Sequence, residues 1–163
     1  MQVQQSTLYG SVPLSLEELR TRAEAYLRSK ELPEIEATSS GFHAVLDRMG
    51  PITPYATRLA KLHSFEEYLK PHWDQLTQER IDDAHLQVIM YPSIFEKVRN
   101  AYDLGTPYEV WDIPDVDDVY PGRILTEDEI SMTTDIIFVR LRERVDVLAA
   151  RLAPVHEVGR NDE

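Results

Sequence analysis

The residues best suited to chemistry crowd the middle of the chain: His63, Glu66, Glu67, His72, Glu79, Asp82, Asp83 and His85. Imidazoles and carboxylates at helical spacing are the material of two-metal sites in helical proteins, which use Glu-x-x-His pairs on inward faces. His63 and Glu66 stand three apart, as do Asp82 and His85, but no Glu-x-x-His occurs anywhere in the chain. On a helix running from Pro71 to His85, Trp73, Leu76, Ile81 and Ala84 set the apolar side, and His72, Glu79 and Asp83 fall at its margin. The spacing favours a solvated charged face over a metal site, so no metal or cofactor is expected.

A second group lies between residues 109 and 129. Glu109, Asp112, Asp115, Asp117, Asp118, Glu127, Asp128 and Glu129 face Arg123 as the one basic residue. Asp115 and Asp117 have oxygens for calcium, but the EF-hand spacing and its glycine are missing. Trp111, Ile113, Val116, Val119 and Tyr120 interleave with these acids. Aromatics among charges make contact surfaces in which the rings anchor and the charges steer. The same pattern also results when a loop tucks its apolar groups onto its own core. The expected partner-binding set is Trp111, Ile113, Asp115, Val116, Asp117, Asp118 and Tyr120, together with Met132, Ile136, Val139 and Val147 of the helix that follows.

Nucleophile signatures are missing. There is no cysteine, no Gly-x-Ser-x-Gly elbow, no P-loop and no Gly-x-Gly-x-x-Gly. The absence of cysteine also excludes disulfides and thiolate metal sites, which fits a reducing cytoplasm. A formal charge of −12 opposes direct binding to nucleic acid and to anionic membranes. No stretch has the length and apolarity of a membrane span, and the N-terminal residues lack the pattern of a classical secretion signal.

The elements that must position these residues read as mainly helical. At 163 residues the chain suits one domain, expected over residues 15–153, between a polar arm at 1–14 and a polar tail at 154–163. Ser15 with Glu18, Ser64 with Glu67, Ser93 with Glu96 and Thr126 with Glu129 each have capping-box spacing. Thr53-Pro54 is a cap followed by proline at the first helical position. A short helix is expected over residues 41–49. Residues 86–91 could be a short strand or a helix end, and residues 106–125 an irregular acidic and aromatic loop broken by prolines.

The strongest single signal is the C-terminal helix over residues 126–153. Ile130, Ile137, Leu141, Val145, Leu148 and Leu152 form one apolar stripe. Met132, Ile136, Val139 and Val147 project from nearly the opposite side. The helix is then either threaded through the domain or covered by another chain, and a strand over 136–141 is its competitor. Arg140, Arg142, Arg144 and Arg151 form a basic series that local acids can pair.

The fold expected is a single-domain bundle of five or six helices with a long C-terminal helix, the acidic loop and one short strand pair. The function expected is that of a non-enzymatic structural or adaptor subunit in a larger assembly, such as a viral particle component. Such a subunit would sit in the cytoplasm or in the assembled particle and contact protein partners, copies of itself among them. Two alternatives are an acidic inhibitor or immunity-type protein that binds a basic partner, with imitation of DNA as one form of it, and a helical metal enzyme using the His63–His85 cluster.

Overall fold

The computed structural model describes residues 16–41, 54–70, 74–105 and 107–153. In chain order the elements are α1 (Leu16–Arg28), β1 (Ser40–Gly41), α2 (Pro54–Leu62), a 3-10 turn (Glu66–Tyr68), β2 (Asp74–Gln75) and α3 (Gln78–Asp83). They continue with β3 (Gln87–Ile89), α4 (Pro92–Ala101), β4 (Tyr108–Val110), α5 (Val116–Val119) and α6 (Glu127–Leu152). The Ser15 and Thr53 caps and the helix expected over residues 41–49 fall outside the described residues, apart from Gly41, which ends β1.

The strands correct the expected class. β1 pairs with β2 and β3 with β4, both in parallel, with registers Ser40 to Asp74 and Val88 to Glu109. A parallel pair needs a crossover, and helices supply it here: α2 carries the chain from β1 to β2, and α4 from β3 to β4. The fold is therefore mixed α/β, 56% helical, with a long C-terminal helix.

The interior gathers on α6. Ile130, Ile137, Leu141, Val145 and Leu148 are buried along its inner stripe, as their spacing predicts. Thr126 caps it: the Glu129 amide donates to the Thr126 hydroxyl, and the Thr126 amide donates to the Glu129 carboxylate at 2.9 Å. Phe138 is the aromatic hub. It stacks on Phe65 at 5.6 Å between centroids and meets Tyr26 of α1 edge-on at 6.1 Å. The Tyr26 hydroxyl donates to Asp146, and Lys30 reaches the same carboxylate at 2.7 Å, tying α1 to α6 a second time.

Two expected capping boxes give way to other arrangements. Ser64 takes a left-handed backbone (φ 58°), and the 3-10 turn begins after Phe65 with no side-chain cap. At α4 the cap position is Tyr91, because Pro92 enters the helix at its first turn, where its missing amide costs nothing. Of the helix expected from Pro71 to His85, residues 71–73 lie outside the described residues, and the rest holds β2 followed by α3, which Thr77 caps.

Candidate functional site

In parallel α/β sheets, ligands sit at the carboxyl ends of the strands, where helices begin and backbone amides point outward. Beyond β4, the strand direction is prolonged by two hydrogen bonds: Trp111 N–H donates to Ile89 carbonyl at 2.7 Å, and Ile113 N–H to Met90 carbonyl at 2.9 Å. These pin residues 111–113 beside the end of β3. The loop expected over residues 106–125 is thus a strand, a tethered turn and the short helix α5.

Asp115 is the acid this arrangement buries. It is 8% exposed, between the buried Ile113 and Val116, and it caps α5. Its Oδ1 accepts the Asp118 amide at 2.9 Å, and the Asp118 carboxylate accepts the Asp115 amide at 3.3 Å. The spacing Asp115-x-x-Asp118 is a capping box with an aspartate in the glutamate's place, a signal a search for glutamate or glutamine at that position misses. Glu24, the other buried acid among the described residues, is bound to Lys70 at 2.6 Å and to Ser39 at 2.7 Å, a structural clamp between α1 and the entry to β1.

Trp111 is buried, and its indole donates to Glu109 at 3.2 Å. Arg151 of α6 binds the other Glu109 oxygen at 2.5 Å. The Arg151 hydrogen bond is the main cause that holds the Glu109 carboxyl below its usual range, against partial desolvation and with help from Trp111.

The expected contact residues divide into two groups. Trp111, Ile113 and Val116 are interior side chains that hold the segment onto α6, so they cannot anchor a partner. Asp117 lies within α5, Asp118 is exposed, and Tyr120 is half-exposed beside Arg123. Met132, Ile136, Val139 and Val147 all face solvent. Between the two groups lies an open depression of about 430 Å³, lined by Asp112, Ile113, Arg140, Glu143, Arg144 and Val147.

The histidine–carboxylate group is not brought together. His63 lies against Phe138 with the rings tilted at 40° and their centroids 4.9 Å apart, and burial is the main cause that lowers its pKa, with Arg142 adding to it. Glu66 pairs with Lys61 at 3.6 Å, while Glu79, Asp82, Asp83 and His85 are exposed on and just after α3. His72 lies outside the described residues. Among the described residues no three histidine or acidic side chains are grouped as a metal would need. No helix among them is long and apolar enough to cross a membrane.

No family model matches the chain, and no curated relative matches it. Among solved structures, it is similar to Vibrio vulnificus Wzb in complex with benzylphosphonate. The TM-score is 0.61 at 18% identity, over 80% of this chain and 88% of that one. Wzb is a low-molecular-weight tyrosine phosphatase, and at this identity the likeness concerns the fold. It overturns the expectation of a non-enzymatic structural or adaptor subunit, and with it the inhibitor and helical-metal-enzyme alternatives. The likeness is one of fold: a mixed α/β chain with a long C-terminal helix in place of the expected bundle.

Proposed function

We propose that this protein is a phosphatase-type enzyme that hydrolyses phosphate monoesters without a thiol. The observation that carries the reading is the likeness to Wzb, whose bound benzylphosphonate joins an aromatic group to a phosphorus-centred anion. Two features of this chain support it. Each parallel pair has a helix N-terminus following the carboxyl end of a strand: α2 after β1 and α4 after β3. Helix N-termini favour anions through their free amides and dipole. Asp115 is buried in the turn that follows β4, where it caps α5.

The absence of cysteine decides the chemistry. Without a thiolate, we take the atom that attacks phosphorus to be the oxygen of a water molecule, which gives up a proton to solvent as it attacks. The new P–O bond forms as the ester P–O bond breaks, and the leaving oxygen takes up a proton. Asp115 in its protonated form supplies that proton.

The test is hydrolysis of p-nitrophenyl phosphate and of a phosphotyrosine peptide by the purified chain, with benzylphosphonate as competitor. Asp115→Asn keeps a helix cap, since asparagine serves there as well as aspartate. It should lower kcat by about 10²-fold or more while leaving the circular dichroism unchanged. Binding of benzylphosphonate without turnover would replace hydrolysis by capture of a phosphorylated ligand. The absence of both binding and turnover would overturn the proposal.

A further inference from the structure

α6 is buried on one face only. On the other, Met132, Ile136 and Val139 stand 59%, 53% and 45% exposed, and at 3.6 residues per turn they fall on one line. Apart from Glu129, which lies on the basic side and pairs with Arg123, the charges beside that line are sorted by sign. Asp128, Asp135 and Asp146 lie along one flank, and Arg140, Arg144 and Arg151 along the other. Arg142 sits at the outer margin of the acidic flank, and Glu143 lies on the line itself. Asp135, Asp146 and Arg151 have partners within the chain, in Arg58, Lys30 and Glu109. Among the described residues Arg140 and Arg144 form no ion pair within the chain.

We infer that this face pairs with the same face of a second copy, the two α6 helices running parallel about a two-fold axis. The sorting of charge selects the orientation. A two-fold axis along the helices sets each acidic flank against the other copy's basic flank. An antiparallel pair would set arginines against arginines. In the parallel pair Asp135 faces Arg140 of the second copy, five residues further on, the offset that charges flanking a parallel apolar seam adopt. Glu143 meets its own equivalent beyond Val139, so the helices diverge there and contact is confined to the turns around Ile136. The net charge of −12 repels copies at long range, and the two arginines left without intrachain ion pairs offset it locally. A seam this short buries less than the roughly 800 Å² per partner of a standard interface, so the dimer is a concentration-dependent one.

Because the chain has no cysteine, a single introduced one reports on this seam alone. Met132→Cys and Val139→Cys are each expected to form a disulfide-linked dimer under mild oxidation, since a parallel two-fold brings identical positions within bridging distance. Val147→Cys is expected to stay unlinked. An antiparallel pair centred on Ile136 would link neither Met132→Cys nor Val139→Cys. Sedimentation of the unmodified chain should show dimer growing with concentration. Arg140→Glu should weaken the dimer by about tenfold, and the double change Asp135→Lys with Arg140→Glu should restore it. A chain that stays monomeric into the sub-millimolar range overturns the inference. So does a dimer indifferent to the charge exchange, or one linked through Val147→Cys but not Met132→Cys.

Discussion

At the scale of single residues, the two carboxylates that cap helices carry distinct loads. Glu129 is held by the Thr126 amide and hydroxyl and by Arg123 at 2.5 Å. The backbone hydrogen bond from Thr126 is the main cause that lowers its pKa from the usual 4.5. The folded chain therefore binds this proton less tightly than the unfolded one. Its stabilising effect is present above pH 4.5 and lost as pH falls through the folded value. Glu129→Gln keeps the cap geometry but not the charge. The stability gap between it and the parent chain, read from urea unfolding, should close as pH drops below 4.5. Thr126→Ala removes the hydroxyl cap at any pH and should cost about 1 kcal/mol. Thr126 and Glu129 were legible in the sequence because a capping box is local. Asp115 was legible only as an acid in an acidic loop, because what sets it apart is its burial in the folded chain, which no local spacing records.

At the scale of elements, the two faces of α6 make opposite claims on stability. Leu141 is fully buried in the stripe that packs on α1 and α5, while Ile136 stands half-exposed one turn earlier. Leu141→Ala should destabilise the chain by about 2–5 kcal/mol, because it leaves a cavity where the three helices meet. Ile136→Ala should change the monomer's unfolding by less than about 1 kcal/mol. Equal losses would mean that the outward face is covered within the chain. This element could be read in advance because twenty-six residues give seven turns of periodic signal between a capping box and Pro154. The strands gave no such signal. At two or three residues they are shorter than one alternation of a strand pattern, and prolines beside them read as breaks. Pro92 shows why that reading misleads. The residue that ends the apolar run of residues 86–91 also begins α4, so one proline closes the segment that holds β3 and opens a helix.

At the scale of the molecule, strands so short cannot stand by themselves. A two-stranded unit is marginal even as a hairpin, and these parallel pairs also depend on crossover helices. Their stability has to come from the core they share with α6. Phe65, Met90, Trp111, Ile113 and Phe138 belong to one cluster, which joins the segment after α2, the ends of β3 and β4, and the middle of α6. A break at any of these surfaces exposes the others, so the chain should unfold in one step. The check is Trp73→Phe, which leaves Trp111 as the only tryptophan. Its fluorescence then follows the β4–α5 region, while far-ultraviolet circular dichroism follows mainly α1 and α6. Coincident urea midpoints and slopes are expected from the shared core. A Trp111 transition well before the helical one would show that the strand ends open as a separate unit. The buried setting of Asp115 would then be a local and transient property.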